Sequence, residues 1–221
     1  MIELGHITHP GKKRILNEDT YHIDAINRFA IVVDGMGGFN AGDIASAFVR
    51  EQLRHNLLQN ESPESALINA GQALRIQRPQ QGTIPSGASA VVLTWQDQDF
   101  HLAWVGACRA YVFDGKQTEL QCSNTQTKTN SDLFSNASSI QALGVTPSEK
   151  LQIHQFSGKW QAPQAILLCT DGVLEECSLP LIHGLLSNSK ISAQETVEQL
   201  LFHSLQGPAA NNMTAVLLRQ G

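Results

Sequence analysis

The chain has 221 residues, of which 42% are hydrophobic, and a formal net charge of −5. That length suits one domain or two small ones, and the apolar fraction is enough for a sizeable core. The acidic balance argues against a general binder of nucleic-acid backbones, and no run of like charge forms a binding tail.

The opening MIELGHITHPGKKR has no apolar stretch of the secretory kind. No segment approaches the ~20 apolar residues that span a bilayer, so no membrane association is expected. Residues 2–8 and 20–26 read as strands. Arg28 to Asp34 (RFAIVVD) is an apolar run of strand length ending in a carboxylate and a glycine cluster. Residues 41–59 carry Ala45, Phe48, Val49, Leu53 and Leu57 at helical spacing. Ser62-Pro63 supplies an N-cap and a first-turn proline for a second helix to about Gln77, before Pro79.

Strands follow at 88–95, 100–105 and 110–113, with Asp114-Gly115 as a hairpin turn. Residues 122–139 are rich in Ser, Asn and Thr and read as a surface loop. Residues 165–170 (AILLCT) form a buried strand ending at Asp171-Gly172. A helix is expected over 192–205 and a closing strand over 213–218. No Pro/Ser/Gly linker divides the chain, so residues 1–221 are read as one domain. Cys108, Cys122, Cys169 and Cys177 form no CxxC pair, which argues against a zinc knuckle or redox motif. A reduced, cytoplasmic setting is the simplest expectation.

The acidic residues fall at telling places. Asp34 and Asp171 each terminate an apolar strand and precede glycine, while Glu18 and Asp19 lie between two apolar segments just after Arg14. Carboxylates held rigidly at one sheet edge make an oxygen-rich site, which suits Mg2+ or Mn2+. Each Asp-Gly pair taken alone also reads as an ordinary turn.

Eight short motifs occur in one order from residue 14 to residue 214: Arg14-Ile-Leu-Asn17-Glu18-Asp19; Val33-Asp34-Gly35-Met36-Gly37-Gly38; Gly42-Asp43-Ile-Ala45-Ser46; Ser86-Gly87-Ala88-Ser89-Ala90; Val105-Gly106-Ala107-Cys108-Arg109-Ala110-Tyr111; Ala142-Leu143-Gly144; Cys169-Thr170-Asp171-Gly172-Val173; and Asn211-Asn212-Met213-Thr214. Together they resemble the metal-dependent serine/threonine phosphoprotein phosphatases of type 2C (PPM), in their stand-alone bacterial form.

The resemblance implies an α+β fold, a four-layer α/β/β/α sandwich of two antiparallel sheets flanked by helices. It also implies hydrolysis of phosphoserine and phosphothreonine in proteins by a water that two Mn2+ or Mg2+ ions activate. Asp34 would bridge both ions. Glu18 and the carbonyl of Gly35 would complete one, and Asp171 and Asn211 the other. Asp19 would orient the attacking water, and Arg14 would grip phosphate oxygens with its planar fork. The expected partner is a phosphorylated protein, either a Ser/Thr kinase or its target, with the phosphatase acting as a monomer. Some relatives act in signalling that controls type VI secretion.

Several features depart from the family pattern, Cys108 in place of Ser among them. Asn211 stands where Asp is usual, so the ion at Asp171 should be held more weakly. Ala107 replaces an Asp that helps bind a third metal, so a conventional third site is not expected. The loop at 122–139 is short for the family's flap. Asn211 and Ala107 motivate a rival reading, a pseudophosphatase that binds a phosphoprotein without turnover. A third reading is a phosphatase of small phosphate esters.

Overall fold

The structure is a computed structural model describing residues 2–37, 41–77, 86–121 and 141–221. In chain order its elements are β1 (Ile2–His9), β2 (Asp19–Asp24), β3 (Phe29–Met36), α1 (Gly42–Leu58), α2 (Pro63–Ile76), β4 (Gly87–Gln96), β5 (Asp99–Val105), β6 (Arg109–Phe113) and β7 (Thr118–Leu120). After these come β8 (His154–Lys159), β9 (Ala165–Cys169), α3 (Asp171–Glu176), α4 (Leu179–Leu186), α5 (Ala193–Ser204) and β10 (Met213–Gln220). The loop expected at 122–139 and Gly38 lie outside the described residues.

Every element expected from the described sequence is present, with ends shifted by a residue or two. The elements that the sequence does not announce are β7, β8, α3 and α4. β8 (HQFSGK) has no run of β-branched residues to mark it. Helix α4 does carry a start signal: the Ser178 hydroxyl caps Leu181 N, and a proline sits in the first turn. Asp171-Gly172 reads in the sequence only as a strand terminus, yet Asp171 opens α3 directly.

The strands form two five-stranded antiparallel sheets. One has the order β1-β10-β9-β6-β7, the other β2-β3-β4-β5-β8. Side chains alternate across each strand. In β3, Phe29, Ile31 and Val33 pack with α1 and α2, whereas Ala30 and Val32 face the opposite sheet. In β9, Ile166 and Leu168 join the layer between the sheets, while Ala165, Leu167 and Cys169 pack with α3, α4 and α5. Three apolar layers therefore separate four layers of structure, α/β/β/α. Burial on both faces explains why RFAIVVD and AILLCT are continuous apolar runs rather than alternating ones.

The first and last strands pair along their whole length, from Ile2 opposite Gln220 to His9 opposite Met213. No helix among the described residues is long and apolar enough to cross a membrane.

Leu168 is fully buried between the sheets. We expect Leu168→Ala to destabilise the fold by ~2–5 kcal/mol. The check is a lower urea midpoint at unchanged m-value; an unchanged midpoint would contradict the layer assignment.

Candidate active site

Strand register builds the site. Asp19 of β2 pairs directly with Asp34 of β3, and Asp34 lies opposite Ser89 of β4. Asp34 follows Ala30 and Val32 on the face toward the other sheet. Thr170 follows Ile166 and Leu168 in the same way. The apolar layer between the sheets thus ends in a polar cap. There the Thr170 hydroxyl donates to Asp19 Oδ2 at 2.8 Å and accepts from Thr214 N at 3.0 Å. Asp19 is only 8% exposed.

A cavity of about 360 Å3 opens at this end of the sandwich. All seven residues singled out from sequence line it: Arg14, Glu18, Asp19, Asp34, Gly35, Asp171 and Asn211. Met36, Gly37, Ala107 and Asn212 complete the wall. Burial pushes the Asp19 carboxyl up to about 6, and nearby Asp171 adds to the rise. Asp34 lies well above the usual carboxylate range through burial and the charges of Asp19, Asp171 and Glu18. Asp171 is raised by burial, an effect that Arg109 and Arg14 oppose. Such repulsion among desolvated carboxylates is relieved by protons or by cations.

The backbone around the carboxylates is close-fitted. Gly35 N donates to the Glu18 carbonyl at 3.0 Å. A Cβ on Gly35 would lie 2.0 Å from the Gly42 carbonyl oxygen, whereas one on Gly42 would lie 2.3 Å from Glu18 Oε1. Asn212, which follows the candidate ligand, is a clasp. Its Oδ1 accepts from Glu18 N at 2.9 Å, and its Nδ2 donates to the carbonyls of Pro10 and Leu16, both at 2.9 Å. The loop carrying Arg14 and Glu18 is thereby tied to the segment before β10.

Asn211 is engaged on both sides. Arg14 Nη2 donates to its Oδ1 at 3.0 Å, and its Nδ2 donates to both carboxylate oxygens of Glu175 at 2.9 and 2.8 Å. Sequence reading gives no role to Glu175, to Thr170 as donor to Asp19, or to Arg109 as a charge opposing Asp171. Arg109 and Thr170 lie within quoted motifs and are within reach of the sequence. Glu175 lies 36 residues from Asn211, and no spacing signal links them.

A larger groove of about 750 Å3 lies at the other end of the second sheet, around Arg28, Trp95, His101 and Lys159. There Ser157 Oγ lies 2.6 Å from His101 Nδ1, and His101 Nε2 meets Glu64. The sequence shows no Ser-His-acid set. His101 and Ser157 are cross-strand partners, and Glu64 comes from the first turn of α2. Their contact follows from register and ties α2 to the sheet, with Ser157 in a regular strand rather than on a nucleophile turn.

The donor set at the smaller cavity suits a hard divalent cation, being entirely oxygen. Among the described residues no three His, Cys, Asp or Glu side chains are gathered tightly enough to hold an ion unaided. The sharing of ligands expected from sequence does not require such a group, since each ion would take two carboxylates and complete its shell from a carbonyl, an amide or water.

The close fit of the two glycines separates their variants. Gly35→Ala should destabilise the fold, because its Cβ meets backbone. Gly42→Ala should leave the thermal midpoint within a few degrees but weaken Mn2+ binding, because the atom it displaces belongs to the Glu18 side chain; calorimetry and Mn2+ titration would check both. Stability should also depend on pH. Between its ordinary 3.8 and about 6, Asp19 binds more protons in the folded than in the unfolded state. Its contribution to stability therefore falls as pH rises through that window. Metal-free protein should gain ~1 kcal/mol from this group between pH 7 and pH 5. Thermal midpoints in EDTA would show the gain, and Asp19→Asn should reduce it, leaving the part that Asp34 and Asp171 contribute.

Comparison with known proteins bears on the same residues. The model of the family described as Protein phosphatase 2C matches residues 15–132, which include Glu18, Asp19 and Asp34. A candidate protein phosphatase of Mycoplasma genitalium is 25% identical, with 94% of this chain and 91% of that protein covered. PppA, a key regulatory component of T6SS in Pseudomonas aeruginosa, superposes with a TM-score of 0.84 at 23% identity, covering 99% of this chain and 97% of PppA. The serine/threonine phosphatase PstP/Ppp of Mycobacterium tuberculosis gives 0.82 at 21% identity, covering 99% and 98%. A PstP catalytic domain has also been solved in complex with two manganese ions. The ordered motifs, the four-layer sandwich and the matching family model lead to one conclusion: the chain belongs to the protein phosphatase 2C family.

Proposed function

We propose that this phosphatase hydrolyses phosphoserine and phosphothreonine in proteins at the cavity formed by Glu18, Asp19, Asp34 and Asp171. The observation that carries the reading is the convergence of three desolvated, mutually repelling carboxylates with Arg14 at their rim. Glu18, Asp34 and the Gly35 carbonyl would hold one divalent ion; Asp34, Asp171 and Asn211 would hold a second. A bound pair of Mn2+ or Mg2+ ions supplies Lewis acidity toward phosphoryl oxygens and lowers the pKa of water. The manganese complex of a PstP catalytic domain supports that choice of ion.

The chain's own groups supply the rest. Arg14 presents a planar fork of donors to the phosphate oxygens. Asp19 orients the attacking water, and Thr170 fixes the rotamer of Asp19. The water oxygen bonds to phosphorus as the bond to the Ser or Thr oxygen breaks, and a proton passes to the departing hydroxyl. No phosphoenzyme forms, since the nucleophile is water. By analogy with the regulatory role of PppA, the substrate is a Ser/Thr kinase or its target.

A second reading, binding without turnover, draws on one observation: Asn211 Oδ1 already accepts from Arg14, which leaves one lone pair of a neutral amide for a cation where the family pattern has a charged carboxylate. Phosphate release from a phosphothreonine peptide, titrated with Mn2+ and Mg2+, separates the two. We expect metal-dependent release that falls to background in Asp34→Ala, and slower release from small phosphate esters. Folded wild-type protein that releases no phosphate at millimolar metal would favour the binding module.

A further inference from the structure

We propose that Glu175 is a positioning residue for Arg14, acting through Asn211. The proposal rests on the reading of Arg14 as the phosphate-gripping residue. Glu175 lies four residues after Asp171 in α3, so both side chains project from one face of that helix toward the same loop. Glu175 accepts from Asn211 Nδ2 through both oxygens, and Asn211 Oδ1 accepts from Arg14 Nη2. A carboxylate can only accept and a guanidinium can only donate. A residue that joins them must donate at one end and accept at the other. An amide of the length of Asn does so in a single orientation, since turning it over would set NH2 against NH2 and oxygen against oxygen.

This accounts for the departure at position 211. Asp there would place an acceptor-only group against the Glu175 carboxylate, where Nδ2 now lies at 2.8–2.9 Å. Asn211 and Glu175 are therefore a matched pair, and the negative charge that the family pattern puts at 211 sits one side chain further out. The neighbouring residue reinforces the same segment: Glu176 Oε1 accepts from Ala209 N at 2.8 Å, and Lys12 N donates to the Ala209 carbonyl at 2.7 Å. The relay thus runs between two backbone segments that are already tied together. Arg14 and Glu175 are solvent-exposed, so the expected effect is modest.

The test compares Arg14→Ala, Glu175→Ala, Asn211→Asp and the double variant Asn211→Asp/Glu175→Gln with wild type. In phosphopeptide kinetics at saturating Mn2+, Glu175→Ala should raise KM roughly two- to fivefold while kcat changes far less, the pattern of lost uniform binding. Arg14→Ala should raise KM further. Without metal, in EDTA, Asn211→Asp alone should lower the thermal midpoint. The double variant should recover at least half of that loss, because the amide introduced at position 175 can donate to the carboxylate introduced at position 211, which can still accept from Arg14. Unchanged KM in Glu175→Ala beside a raised KM in Arg14→Ala would overturn the relay and leave the role of Arg14 intact. A double variant no better than Asn211→Asp would overturn it as well. Unchanged KM in Arg14→Ala would remove the reading beneath the proposal, and the proposal with it.

Discussion

Two carboxylates stand directly across from each other on neighbouring antiparallel strands, at the end of an apolar layer between two sheets. Asp19 and Asp34 are register partners, and register in a half-buried strand is fixed by its apolar face. A one-residue slip of β3 would carry Asp34 to the helix side and bring Ile31 and Val33 between the sheets. The hydrophobic pattern that holds the core therefore also holds two like charges together, against their repulsion. The raised proton affinities of Asp19 and Asp34 express that compulsion. A fold of this kind gives up some stability at its functional end, where a stable cap would have been apolar.

The remaining parts of the site are arranged around this pair by loops that fasten one another. Glu18 follows from the approach of Gly35 to its carbonyl and from the space that Gly42 leaves for its carboxylate. Arg14 is placed by a loop whose carbonyls at Pro10 and Leu16 are held by Asn212. Asp171 is placed by β9 and by its position at the start of α3. Sheets supply the rigid carboxylates and loops supply the groups nearer solvent, a common division between scaffold and recognition.

Much of this is legible in the sequence because it is written in continuous runs. RFAIVVD and AILLCT announce strands buried on both faces, and their terminal acids announce the site. Ser62-Pro63 announces α2, and the observed cap is Ser62 Oγ accepting from Ser65 N. Features without a local run are not legible. β8 alternates half-buried and exposed residues, of which only Phe156 favours a strand, and its place depends on pairing with β5. α4 is a short apolar stretch that could be strand or helix until Ser178 is recognised as its cap. At the site, residue identity gives the residues that line the cavity, but not the contacts between motifs. Asn211 looks like a weakened ligand in isolation. Only in three dimensions does Glu175 meet it, and the same holds for Thr170 and Asp19, which lie 151 residues apart.

The pairing of β1 with β10 brings residues more than two hundred positions apart into contact. Closing so long a loop is entropically slow to reach, and chains dominated by such contacts fold slowly. β10 and the asparagines just before it follow Asp34 and Asp171 in the chain, and so leave a ribosome after them. A nascent chain that has already made Asp34 and Asp171 still lacks the clasp that fastens the Arg14 loop. The loop that carries Arg14 is thus fastened only after β10 has been made and has found its place between β1 and β9.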